Sequence, residues 1–278
     1  MTVRFAGLAA AAFVAFGVVA LPATAGHHEL GMVLENRSDK DKARDKYRHP
    51  KETLEFFGVT HKSRVAEVLP GGGWYGRILL PLVADNGAYF GINYAGAMVE
   101  KLFPSNAEGS KKWAAEFPAK AAEWVDGDPD VKAWRFGEAP EDLAGTLDVV
   151  LFVRAAHHLN RAGDSFFADA AEEAFSLLKS GGVVGVVQHR APADISDEWA
   201  VGNAGYVKQS RVVEVFKAAG FTLEAASEVN ANPNDKPTTD DFVWRLPPSL
   251  AGDQSDEMKK KHMAIGESDR MTLKFVKP

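Results

Sequence analysis

The chain has 278 residues, 46% hydrophobic and 25% charged, which suits one large globular domain or two small ones. A net charge of -6, with no basic run beyond Lys259-Lys260-Lys261, gives no signal for nucleic-acid binding. The absence of cysteine excludes disulfides, cysteine nucleophiles and thiolate metal sites.

Arg4 precedes a long apolar run over residues 5–21, then Pro22 and Ala23-Thr24-Ala25. A positive start, an apolar core and an A-x-A end read as a secretory signal peptide over residues 1–25, cut after Ala25. The expected location is periplasmic or secreted, with no stable membrane insertion after cleavage. An uncleaved anchor is the alternative, because the run approaches spanning length. Residues 26–44 are polar and read as an exposed arm or a solvent-facing helix. Residues 45–278 read as one domain, with no linker to divide them.

Residues 51–58 are expected to form a short helix, with Leu54, Phe56 and Phe57 toward the body and Gly58 as its stop. A strand over 64–69 carries Glu67 and breaks into Gly71, Gly72 and Gly73. A helix over 74–84 follows, which Pro81 should kink or shorten. Strand, acid, glycine turn and helix, in that order, are how an α/β sheet builds a nucleotide crevice. The glycines let the backbone turn and approach a ligand, and the helix start offers N–H groups.

Further strands are expected at 88–93, 131–136 and 147–153, the last apolar enough for burial on both faces. Helices fall at 98–103 and 111–125. An amphipathic helix over 164–178 is closed by 179–182, where Gly181 or Gly182 can cap it. A strand at 183–188, a helix at 210–219 stopped by Gly220 and a strand at 221–229 continue the alternation. The polar stretch 230–270 is long enough to suggest a lid or substrate loop. A last strand over 271–276 ends the chain. This alternation implies an α/β fold, a mostly parallel sheet with helices on both faces.

Four motifs now stand in order: E-V-L-P-G-G-G-W-Y at 67–75, L-D-V-V-L-F-V-R-A-A-H-H-L at 147–159, L-K-S-G-G-V-V-G-V-V-Q-H-R-A at 178–191 and A-A-G-F at 218–221. On them the chain resembles the class I S-adenosylmethionine-dependent methyltransferases, and more narrowly a group of exported members with a P-G-G-G-W-Y turn. The resemblance covers residue 45 to the end. It implies a Rossmann-like methyltransferase fold: a mostly parallel seven-stranded sheet with an antiparallel last strand and helices on both faces. It also implies S-adenosylmethionine as cofactor and methyl transfer to a small or amphiphilic molecule. Nothing in the sequence fixes the oligomeric state.

The same resemblance implies roles for single residues. Glu67 would lie near the cofactor's amino-acid end, and Gly71, Gly72 and Gly73 would let the backbone pass the cofactor. Asn93 stands where an acid usually takes the ribose hydroxyls, Glu138 would lie near the adenine amino group, and Arg154 would floor the site beside the methyl group. Two positions depart from the pattern. Leu69, followed by Pro70, occupies the first glycine's place, and Asn93 lacks the carboxylate's charge-assisted pair of bonds.

Methyl transfer needs alignment and sometimes a base. His157, His158 and His189, on loops after two central strands, are the candidates, because an imidazole titrates near neutrality. Their structural alternative is a set of buried, hydrogen-bonded rings. A metal site with Asp148 or Glu138 is not expected, since adjacent histidines on an extended segment point opposite ways. Arg48 could hold a carboxylate of cofactor or substrate bidentately, or form a surface ion pair. Trp74 and Tyr75 could wall the pocket or pack in the core. Tyr206 and residues 232–235 are candidates for the substrate face.

The alternative to an enzyme is an exported binding protein on the same fold, suggested by location outside the cytosol and by Asn93. A nicotinamide-dependent dehydrogenase fits less well, because the glycines are not spaced G-x-G-x-x-G.

Overall fold

A computed structural model describes residues 24–127 and 129–278. The signal-peptide reading lies outside the described residues except at Thr24 and Ala25. In chain order the elements are α1 (Thr24–Glu35), α2 (Asp39–Lys42), α3 (Asp45–Arg48), α4 (Pro50–Phe57), β1 (Arg64–Val68), α5 (Gly76–Val83), β2 (Ala88–Asn93), α6 (Gly96–Leu102), α7 (Ala107–Ala122) and β3 (Val131–Arg135). There follow β4 (Leu147–Val153), α8 (Ala156–Ala162), α9 (Asp164–Leu177), β5 (Leu178–His189), α10 (Gln209–Ala218), β6 (Thr222–Ser227), α11 (Asp256–Ile265) and β7 (Arg270–Val276).

The strands form one seven-stranded sheet in the order β3-β2-β1-β4-β5-β7-β6. All neighbours from β3 to β5 run parallel, and β7 is antiparallel to both β5 and β6. The order reverses between β1 and β4, the point where open α/β sheets leave a crevice beyond their strand ends.

The period-2 pattern of the strands explains the layers. Ala66 and Val68 of β1, with Val150 and Phe152 of β4, face a core built on α6, α8, α9 and α10. Val65, Val149 and Leu151 face the opposite core, formed by α1, α4, α5 and α7. Glu67 shares the face of Val65, which is why it ends up among apolar neighbours.

Several expectations need correction. The segment 26–44 is not an exposed arm: α1 packs on α4 and α5 with Leu30 buried, and Arg37 and Asp41 are buried too. Leu30 supplies the apolar anchor that the charged sequence around it obscures. Neither Gly181 nor Gly182 caps α9; the chain turns extended at Leu178 and enters β5 directly. The stretch 230–270 contains α11, none of whose residues is buried, and a 3-10 turn over Val243–Arg245.

That stretch is pinned by a buried network. The Tyr206 hydroxyl donates to Asp235 Oδ2 at 2.8 Å, while Arg245 donates to Asp235 Oδ1 at 2.8 Å and to the Tyr206 oxygen at 2.9 Å. Tyr206 and Asp235 therefore anchor the connection and do not form a substrate face. Asn232 is likewise spent on the backbone carbonyls of Ile265 and Glu267. Among the described residues no helix is long and apolar enough to cross a membrane.

Candidate functional site

A cleft of about 800 Å³ opens at the reversal point, between the glycine turn, the ends of β2 and β4, and the N-terminal helices. Its first wall is the turn. Leu69 and Arg154, ending adjacent strands, both take left-handed backbone, at φ 53° and 55°. Gly71, at φ 55°, and Gly72 line the cleft. A Cβ on Gly72 would meet nothing within 4 Å, so the turn presents bare backbone there.

Gly73 does something different from what its place in the motif suggests. A Cβ there would fall 2.3 Å from Trp124, and one on Gly76 would fall at the same distance from that indole. Gly73 makes room for Trp124 behind the turn and does not line the cleft.

Asn93 and Tyr94 line the cleft at the end of β2. The Asn93 carboxamide oxygen accepts the Tyr94 N–H at 2.9 Å, which fixes the side chain at the strand's end. Two other expected cofactor residues lie elsewhere. Glu138 is half-exposed and forms a two-point ion pair with Arg135, three residues before it in the turn after β3. That local pairing takes its carboxylate away from the cleft. Glu67 is buried on the inner face of β1, where its Oε2 accepts the Tyr89 hydroxyl at 2.7 Å. Burial pushes its carboxyl up to about 7, with the Tyr89 bond and nearby arginines opposing the shift.

The three histidines do converge. His157 and His158 are not on an extended loop: α8 starts at Ala156, directly after the left-handed turn at Arg154. Their rings lie side by side, centroids 4.0 Å apart, with His189 5.6 Å from His157. All three line the cleft. Gln188, which the sequence did not single out, orients the first. Its Nε2 donates to the Gly205 carbonyl at 3.0 Å, so its Oε1 is the acceptor facing His157 Nδ1 at 3.3 Å. That assigns the proton to Nδ1 and leaves Nε2 as the basic nitrogen, buried and without a partner. The only sequence signal for Gln188 was its polarity at the end of an apolar strand.

Burial, and then the neighbouring His158 cation, would hold His157 well below its ordinary value. Burial, then Arg161 and Arg154, lowers His158 to about 4, and burial holds His189 well below neutrality too. The rings are neutral proton acceptors at physiological pH, and weak ones. Among the described residues no three His, Asp or Glu side chains converge as metal ligands. Asp148 lies at the opposite end of β4, bonded to the Arg64 N–H and to Lys179.

The N-terminal helices close the cleft from above. Asp41 takes a two-point bond from Arg77 at 2.8 and 2.7 Å, and Arg77 also donates to the Gly72 carbonyl at 2.7 Å. This clamps α2 onto the glycine turn. Arg48, which the sequence allowed as a surface ion-pairing residue, is 1% exposed and lies 4.4 Å from the Trp74 ring centroid. Trp74 lines the cleft beside it, whereas Tyr75 packs in the core under α5. Trp244, from the 230–270 connection, completes the rim.

No family model and no curated protein matches the sequence. Solved structures do match in fold. Geranyl diphosphate C-methyltransferase of Streptomyces coelicolor A3(2), solved with Mg2+, geranyl diphosphate and S-adenosyl-L-homocysteine, is 11% identical with a TM-score of 0.51, the match covering 89% of this chain and 88% of that one. A protein of Galdieria sulphuraria, provisionally assigned as a sarcosine dimethylglycine methyltransferase, is 15% identical with a TM-score of 0.51, covering 88% and 89%. The [4+2]-cyclase SpnF is 17% identical with a TM-score of 0.51, covering 87% and 84%. At these identities the likeness is one of architecture: this chain has the Rossmann-like methyltransferase fold, with β7 antiparallel in a mostly parallel sheet.

Proposed function

We propose that the protein is an S-adenosylmethionine-dependent methyltransferase acting on a small molecule, and that the chain is exported by its N-terminal segment. The observation that carries the enzymatic reading is the cleft itself. Bare backbone at Gly71 and Gly72, the polar end of β2 at Asn93 and three neutral histidines face one space at the sheet's reversal point. The fold likeness supports the choice of cofactor. It does not fix the reaction, since a cyclase shares the architecture.

The residues present fit that cofactor along one wall. Gly71 and Gly72 would pass its chain, Asn93 would meet the ribose, and Tyr94 and Trp113 offer aromatic faces nearby. Glu138 and Gly73 have no part in this assignment. Glu67 would act only through the floor of the site. When bound, the sulfonium supplies an activated methyl carbon.

The chain's own residues then have two tasks. The rigid turn and the clamp between Asp41 and Arg77 hold the reactants in line and keep water out. His157 Nε2 accepts a proton from the acceptor's attacking group. A base this weak suits an acceptor whose proton is already acidic, because proton transfer follows the difference in pKa.

Calorimetric titration of the protein with S-adenosylmethionine and S-adenosylhomocysteine tests the reading. Micromolar binding is expected. Asn93→Asp should tighten it severalfold, because one carboxylate oxygen can keep the Tyr94 N–H while the other takes a ribose hydroxyl. No binding of either compound to folded protein would rule the enzyme out in favour of another ligand.

A further inference from the structure

The chain carries a net charge of -6, yet its cleft is basic. Lys40, Arg44, Arg48, Arg77 and Arg154 line it against Asp41, which Arg77 already engages. Behind them sit two further carboxyls: Glu67, bonded to the Tyr89 hydroxyl and pushed up to about 7 by burial, and Glu267, which is shared three ways. It accepts from Arg44 at 2.6 Å, and Arg48 and Arg270 lie 3.5 and 3.3 Å from it. Arg154 forms no ion pair among the described residues.

Several of these cations are buried with donors unspent. Arg48 is 1% exposed, and both its Nη1 and Nη2 lack a partner, as do the Nε atoms of Arg154 and Arg270. Burial and like-charged neighbours push Arg48 down to about 9 and Arg154 to about 10. A guanidinium does not give up its proton under ordinary conditions, so the strain shows instead as a shortage of negative charge. Buried charge left unpaired is expensive, and a fold retains it when a ligand supplies the counter-charge.

We propose that the cluster of Arg44, Arg48 and Arg154 is the subsite for an oxyanion, a phosphate or carboxylate group, on the methyl acceptor. This rests on the methyltransferase reading for the word acceptor; the oxyanion site itself rests on the arginines. The cofactor is a poor source of the missing charge. Its single carboxylate comes with an ammonium and a sulfonium, so its arrival would add positive charge to a cleft that already has too much. An acceptor with a phosphate or carboxylate balances the site, and the planar, fork-shaped donors of Arg48 match either group in a two-point bond.

The test is titration of the protein with inorganic phosphate and with succinate, each with and without saturating S-adenosylhomocysteine. Phosphate or succinate is expected to bind in both cases and to raise the unfolding temperature. Arg48→Gln should weaken that binding by about tenfold or more while leaving S-adenosylhomocysteine affinity within about twofold. Arg44→Gln, at a more exposed position, gives the same readout should the buried Arg48 variant fail to fold.

Two results would overturn the proposal. One is no binding of either anion to folded wild-type protein. The other is mutual exclusion of anion and S-adenosylhomocysteine with both affinities lost in the arginine variants, which assigns the cluster to the cofactor's carboxylate. Arginine-dependent phosphate binding by a protein that ignores S-adenosylhomocysteine would uphold the oxyanion site and sink the methyltransferase reading alone.

Discussion

Leu69 and Arg154 end the two adjacent parallel strands β1 and β4 in the same left-handed conformation, and each donates its N–H outward to the next strand. Leu69 reaches the Ile92 carbonyl at 2.7 Å and Arg154 the Val187 carbonyl at 2.6 Å. The two turns diverge from the seam where the strand order reverses, and the cleft lies between them. The conformation that a glycine would adopt without penalty is thus kept by a leucine, whose side chain packs on the core.

From that geometry follows an inverted order of substitution at position 69. In an ordinary strand valine is far better tolerated than glycine. Here a β-branched residue at positive φ pays steric strain, whereas glycine is relieved of it. Leu69→Val is therefore expected to be about 1–2 kcal/mol less stable than Leu69→Gly. Urea unfolding of both variants measures this, and a more stable valine variant would contradict the left-handed turn.

Neighbouring glycines of one motif should respond in opposite ways. Gly73→Ala forces a methyl group into Trp124 at positive φ, and overpacking with backbone strain should lower stability by about 3 kcal/mol. Gly72→Ala meets open space and should stay within about 0.5 kcal/mol of wild type, with its effect confined to ligand binding. Thermal melts together with cofactor titration separate the two roles.

Glu67 makes a pH-dependent difference whose sign is set by its raised pKa. Below the unfolded value of 4.5 the carboxyl is protonated in both states and costs nothing. Between 4.5 and about 7 the unfolded chain loses its proton while the folded one retains it, so stability falls as pH rises. Glu67→Gln keeps an acceptor for Tyr89 and removes that loss. It should match wild type at low pH and exceed it by on the order of 3 kcal/mol at pH 8. Equal urea midpoints at pH 8 would refute the buried, raised carboxyl.

The histidines act in the opposite direction. Their folded pKa values are depressed, so their contribution is complete above the unfolded value of 6.5 and is lost as pH falls, for His158 down to about 4. Stability is expected to drop from pH 6.5 downward, more shallowly in His158→Phe. Imidazole signals of His157, His158 and His189 should show no titration near pH 6.5 by NMR. A midpoint near 6.5 for any of them would place that ring in solvent.

Much of the fold was legible in the sequence. Expected and observed bounds agree at β2 and β4, and elsewhere mostly to within a few residues. Alternating and continuous apolar patterns, punctuated by Gly58, Gly220 and the glycine turn, are local signals that need no knowledge of neighbours. The chain order of strands and helices likewise pointed to a mostly parallel sheet, and the family resemblance supplied the antiparallel last strand, as found.

The site was legible only in part. The convergence of His157, His158 and His189 was readable from their positions after central strands, because a parallel sheet brings strand ends together. What each side chain does there was decided by partners distant in sequence. Gly73 is a glycine because Trp124 lies against it, Glu67 is neutralised by its strand face and Tyr89, and Glu138 is taken by Arg135. Arg48 and Arg154 are short of counter-charge because Asp41 is engaged by Arg77, Glu67 is raised by burial, and Glu267, more than a hundred residues beyond Arg154, is shared with Arg44 and Arg270. The period and punctuation of strands and helices are properties of short segments and were legible in the sequence alone. Pairing, desolvation and charge balance depend on which segments meet, and those only the tertiary structure decided.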